Sequence, residues 1–205
     1  MNFLAHVFFA YGEPAAMVGQ LCGDFVRGSN LARFPAAIQN GIRLHRAIDS
    51  FTDRHPLNRQ ARDLFVAPHR RVAGIITDVA YDHFLAKQWD QHCSTGLSDY
   101  ATMVSAALRQ YEDVLPDNLK RFAPYLESEK ILQRNIEKAQ IDLTLQRISG
   151  RRKSMLPLAT AAPQLWENEP RLNQIFDEFF PLLMQHVSTL HDDSAGSPAS
   201  TVSDP

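Results

Sequence analysis

Apolar residues recur along this chain three and four positions apart, and nowhere do they alternate with polar ones between hairpin turns. That period marks helices with one buried face. It predicts helices over 2–11, 14–27, 35–55, 57–66, 69–92, 98–115, 118–134, 136–149 and 168–190. Breaks are expected at YGEP, RGSN, RHPLN, CSTGLS and LPDN, where Gly, Pro, Ser and Asn collect. Pro35 suits a first helical position. The expected fold is all-α, one compact helical domain over 1–190. The polar stretch HDDSAGSPASTVSDP (191–205) is expected to be a disordered tail, and its His191–Asp192 pair is set aside with it.

Some polar residues sit where the pattern demands apolar ones. At about 100° per residue, with Ile38 at zero, His45 falls near 340°, Asp49 near 20° and Asp53 near 60°. Gly41, Ile42, Ile48 and Thr52 share that arc, while Arg43, Arg46 and Arg54 are expected on the outward side. The segment 69–92 repeats the anomaly: His83 projects from its apolar face, with Asp82 at the edge and Asp78 further round. Asp24 shares a stripe with Met17 and Leu21. In 2–11 the only side chain that ionises near neutral pH is His6.

A lone buried carboxylate costs several kcal/mol and would neutralise itself. Asp24, His45, Asp49, Asp78, Asp82 and His83 directed inward from separate helices, with His6, therefore imply a shared centre. Mixed carboxylate and imidazole donors from facing helices suit manganese, magnesium or iron. No cysteine joins the set, so structural zinc is not expected. Asp53 equally suits capping the turn at DRHP.

Composition narrows the class. With 205 residues and 44% hydrophobic content, one folded domain is expected. Two cysteines and no C-x-x-C fit a reducing compartment. MNFLAHVFFAYGEPAA lacks the basic start of a secretion signal, its first basic residue being Arg27. No apolar run approaches the ~20 residues of a membrane span, so a cytoplasmic protein is expected. Net charge is −2, unevenly spread: residues 1–71 hold nine arginines and five acids, +4, leaving −6 for the rest. A basic face attracts acidic proteins or phosphates, whereas the total is too acidic for a nucleic-acid binder. The run RRKS at 151–154 is expected to be a solvated helix end.

The segments MNFLAH, GDFVRG (23–28), GIRLHRAIDSFTD (41–53), RRVAGIITDVAYDHFL (70–85) and RISGRR (147–152) resemble, together and in order, the bacterial acyl carrier protein phosphodiesterases. The resemblance spans roughly 1–190. It implies a helical fold remotely related to HD-type phosphohydrolases and a divalent metal, usually Mn2+. It also implies removal of 4′-phosphopantetheine from holo acyl carrier protein. The adjacent His–Asp of HD enzymes is missing; the core offers Asp82–His83 reversed and His45 four residues before Asp49.

On that reading Asp24, His45, Asp78 and His83 are the expected inner ligands, with His6 as a further one. Asp49 and Asp82 would complete the shell, orient imidazoles or take a proton, and Arg27 would bind phosphate. Arg43, Arg46, Arg54, Arg59, Arg62, Arg70 and Arg71 would meet the acidic carrier protein. Two alternatives stay open: a metal-dependent hydrolase of a small nucleotide-like phosphodiester, and a non-catalytic helical protein that binds carrier proteins.

Overall fold

Two helices that touch through glycine set the frame for everything else. In the computed structural model, which describes the backbone of residues 1–195 and side chains as far as residue 191, α2 (Pro14–Cys22) crosses α3 (Ala36–Arg54) at Gly19 and Gly41. A Cβ on Gly19 would lie 2.5 Å from the Ile38 carbonyl oxygen and 2.7 Å from the Gly41 Cα. No side chain fits between these backbones. Met17, Val18 and Leu21 of α2 and Ile38, Ile42 and Ile48 of α3 are fully buried around the crossing, each such side chain worth roughly 1.5–3 kcal/mol.

The other elements wrap this pair. α1 (Phe3–Phe8) is followed in chain order by α4 (Pro56–Asp63), a 3-10 turn over His69–Val72 and α5 (Ala73–Lys87). Next come α6 (Trp89–His92), α7 (Leu97–Gln110), a 3-10 turn over Glu112–Val114 and α8 (Asp117–Ser128). α9 (Ile131–Arg134), α10 (Lys138–Ser149), a 3-10 segment over Lys153–Thr160, α11 (Ala162–Glu167) and α12 (Glu169–Ala195) complete the order. Among the described residues there is no strand, and no helix is long and apolar enough to cross a membrane. Leu172, Ile175, Phe176, Phe179, Phe180, Leu183 and Val187 form the buried stripe of α12. Their three-and-four spacing is that of one helix face.

Several expected boundaries shift for local reasons. The span 69–92 is three pieces, because the chain turns at Val72 and again at Gln88. The span 118–134 breaks at Lys130, whose φ of 49° is left-handed. His55, not Asp53, caps α4: its Nδ1 accepts the Leu57 amide at 3.3 Å. The 3-10 segment and α11 went unforeseen, since Pro157 and Pro163 mask their apolar period. α12 continues to Ala195, so 191–195, expected in the tail, are helical. The remainder of that expected tail, 196–205, lies outside the described residues. Cys22 is buried and Cys93 half-buried, both as free thiols.

Candidate metal centre and its cleft

α1 is a short helix without a side-chain cap of its own. Its first amides are satisfied from 78 residues away: the Leu4 and Ala5 N–H groups donate to the Asp82 carboxylate at 2.8 and 3.0 Å. A carboxylate at a helix N-terminus meets both the free amides and the positive end of the helix dipole. Asp82 is wholly buried. Burial pushes its carboxyl up to about 7, against those two amides, which favour the charged form. Asn135 Nδ2 also reaches Asp82 at 3.5 Å, and the Asn135 carbonyl accepts from His83 Nδ1 at 2.7 Å. At the other end of α1, the Tyr100 hydroxyl donates to the Val7 carbonyl at 2.6 Å. The helix is pinned at both ends, and that fixes His6.

His6 stacks on His45 of α3, ring centroids 3.8 Å apart and planes inclined by 19°. His6 Nε2 lies 3.2 Å from Asp49 Oδ1, and His45 Nε2 lies 3.2 Å from Asp49 Oδ2. Asp24, one residue beyond the cap of α2, brings Oδ1 to 3.7 Å from His45 Nε2. The Met1 α-amino group stands 3.0 Å from Asp78 Oδ1 and 3.6 Å from Asp49 Oδ1. Burial lowers that amine's pKa, but Asp78 and Asp49 outweigh it and hold the value at about 10. Burial would raise Asp49, yet its contacts with His45, His6 and the amine keep it well below the usual carboxylate range.

His6, His45 and Asp49 each offer a ligand atom, all within 4.8 Å of one another. His6 is held from behind by Gln20. Its Nδ1 lies 3.2 Å from Gln20 Oε1; with that oxygen accepting, the proton is on Nδ1 and Nε2 carries a lone pair. This buried Nε2 makes no hydrogen bond and faces a carboxylate oxygen. In this tautomer a divalent cation between the two would satisfy both acceptors. Burial also lowers the His6 pKa to about 4, so the imidazole is neutral, as a metal ligand must be. An acceptor on the far nitrogen is the usual way an imidazole ligand is oriented, and Gln20 Oε1 is placed for that role.

Room for the second imidazole comes from Gly23. A Cβ there would sit 2.2 Å from His45 Cγ. Gly23 and Gln20 were not singled out in the sequence, although Gln20 lies three residues after Met17 on the inward stripe of α2. The Met1 amine has no sequence signal; tertiary folding alone brings it to Asp78.

His83 does not join this centre. Its Nδ1 is taken by the Asn135 carbonyl, and its Nε2 faces Glu169 at 3.8 Å. Asp82 turns to α1 instead, so the neighbours Asp82 and His83 serve different partners. Asp53 is exposed and pairs with Arg62 at 3.5 Å. Asp24 and Asp78 border the three-residue cluster. Arg27 is exposed and, among the described residues, makes no side-chain bond or ion pair.

Beside Asp24 and Asp78 opens a cleft of about 270 Å3, walled by Phe3, Phe25, Phe122 and Ile148, with Arg147 and Arg151 at its side. These arginines lie in RISGRR, and Arg151 opens the run RRKS that was expected to be a solvated helix end. Their spacing of four was the available signal.

The expected arginine face is mixed. Arg46, expected outward, is half-buried and donates to the Val26 carbonyl at 3.0 Å, because its position near 80° borders the inward arc. Arg62 is occupied by Asp53 and Arg70 by Asp63. Arg43 donates to Asn40 and Gln39 yet stays exposed. Arg54, Arg59 and Arg71 are exposed and, among the described residues, form no ion pair.

Residues 1–183 match the family model described as acyl carrier protein phosphodiesterase. Similar curated proteins carry the same name. One from Yersinia pestis is 35% identical over 190 residues, covering 91% of this chain and 97% of that protein. One from Klebsiella pneumoniae subsp. pneumoniae is 37% identical over 188 residues, covering 90% and 96%. One from Pectobacterium atrosepticum is 35% identical over 192 residues, covering 92% and 98%. No solved structure matches the chain.

Proposed function

Because this chain belongs to the acyl carrier protein phosphodiesterase family, we propose that it removes 4′-phosphopantetheine from holo acyl carrier protein, using a divalent cation held by His6, His45 and Asp49. The bond broken joins a carrier-protein serine to the arm's phosphate. Water supplies the new oxygen on phosphorus, and the serine oxygen leaves with a proton. The observation that carries the metal assignment is the convergence of ligand atoms from His6, His45 and Asp49 within 4.8 Å of one another. Two imidazoles with surrounding carboxylates suit a divalent first-row metal such as Mn2+ or Fe2+, with Mg2+ a lesser fit, and the family resemblance favours Mn2+.

A bound cation supplies positive charge against the phosphoryl oxygens and acidifies water at the site. The protein's own groups do the rest. Gln20 and Asp82 hold His6 in place, the second by anchoring α1. Asp24 lines the cleft beside the imidazoles and is placed to accept a proton from water. Asp78, held by the Met1 amine, forms the adjoining wall.

The carrier protein is acidic, and Arg43, Arg54, Arg59 and Arg71 are the exposed basic groups that meet it. Such steering speeds association and fades with salt. Reversing the charge of Arg54, Arg59 and Arg71 together raises KM at low ionic strength; unchanged KM there would remove this docking face.

The deciding assay is the mass of holo carrier protein after incubation with metal-stripped protein, with and without Mn2+. Loss of the phosphopantetheine mass only with metal supports the reading. An intact carrier protein despite bound metal refutes it and favours a small phosphodiester substrate.

A further inference from the structure

The cleft beside Asp24 and Asp78 has two sides of different chemistry. One is aromatic: Phe3 stacks on Phe25 with planes 3° apart and centroids at 6.5 Å, and Phe122 packs on Phe3 at 5.1 Å. The other is cationic. Thr144, Arg147, Ile148 and Arg151 line it, and spacings of three, four and seven put them on one face of α10 and its continuation. Arg147 is exposed, its closest acid Glu129 at 3.9 Å. Arg151 makes no ion pair or side-chain hydrogen bond among the described residues. Two guanidiniums with little or no compensation thus flank an apolar wall, within one cleft that starts at Asp24 and Asp78, beside the proposed metal centre.

Resting on the proposed function, we infer that this cleft is the subsite for the phosphopantetheine arm. Arg147 and Arg151 pair with the arm's phosphate, and Phe3, Phe25 and Phe122 hold its dimethyl-bearing carbon chain. The ligand called for is an anion at one end of an apolar, extended body. Arginine suits the phosphate because its planar fork pairs two oxygens at once. A carrier-protein surface alone needs neither the aromatic wall nor cations beside the acids. Arg147 and Arg151 are then substrate-binding residues, separate from the arginines that meet the carrier protein.

The test titrates Mn2+-loaded protein with free 4′-phosphopantetheine and, separately, with inorganic phosphate. The Arg147→Gln/Arg151→Gln double variant changes only exposed side chains and keeps the wild-type Tm. It should bind both ligands at least about tenfold more weakly, the value of one hydrogen bond to a charged group. KM for holo carrier protein should rise in parallel. Phe122→Ala should weaken phosphopantetheine binding and leave phosphate binding unchanged. If both variants bind phosphopantetheine as wild type does, the assignment is overturned, even when the wild type cleaves holo carrier protein. If the wild type leaves the carrier protein intact, the proposed function fails, and the two titrations still decide the cleft.

Discussion

His6 and His45 lie face to face, 3.8 Å between ring centroids, and each presents Nε2 to a different oxygen of Asp49 at 3.2 Å. Stacked imidazole rings gain little from each other. Their common orientation toward one carboxylate is what the fold maintains, through Gln20 behind His6 and the absence of a side chain at Gly23 behind His45.

Gly23→Ala tests that second support. The new methyl would enter the His45 ring position at 2.2 Å. The imidazole must move by the order of an ångström, and a displacement of that size costs about a hundredfold in turnover. We expect kcat/KM to fall by about that factor while far-UV circular dichroism stays unchanged. Wild-type turnover in this variant would show that His45 is not held there.

Gly19→Ala tests the frame beneath. Its Cβ would meet backbone on α3 at 2.5–2.7 Å, and backbone cannot give way as a flexible side chain can. Overpacking of this kind costs ~1–3 kcal/mol. Calorimetry should show Tm several degrees lower, and an unchanged Tm would mean that the helices separate freely.

Asp82→Ala removes the acceptor for the Leu4 and Ala5 amides. Buried donors left unpaired cost ~1–3 kcal/mol. Hydrogen exchange at these two amides should accelerate, and Mn2+ affinity should drop although Asp82 touches no metal donor. Loss of affinity with the amides still protected would instead make Asp82 a direct ligand.

His83 gives a pH signature. Burial lowers its pKa from 6.5; the Asn135 carbonyl opposes this, Lys87 lowers the pKa further, Glu169 raises it and Lys138 lowers it. The unfolded chain therefore takes up this proton at higher pH than the folded protein. Between the two values the unfolded state binds more protons, so stability falls as pH drops below 6.5 and levels off below the folded value. Urea midpoints between pH 7 and 5 should fall more steeply for the wild type than for His83→Gln. Parallel slopes would contradict the burial of a neutral His83.

The helical class and the inward direction of His6 and His45 were legible because each breaks an apolar stripe, whereas Asp49, expected inward with them, is half-exposed at the rim. Asp82 and His83 break a stripe too, but periodicity says only that a residue points inward. It does not say whether it meets a helix end, a carbonyl or a cation, since Asp82's partners on α1 are 77 and 78 residues away. Arg147 and Arg151 looked like surface residues because they are exposed. Their importance comes from the cleft that α10 forms with α1, α5 and α8, which no local pattern records. The segment 153–167 stayed hidden behind its prolines.

The most direct measurement is Mn2+ affinity, by titration calorimetry, in the wild type, His6→Ala and His83→Gln, each confirmed folded. The account predicts that His6→Ala loses at least about tenfold, the lower end of what even an outer partner of a ligand costs, while His83→Gln binds as the wild type does. Retained affinity in His6→Ala together with loss in His83→Gln would place the metal elsewhere and contradict the account.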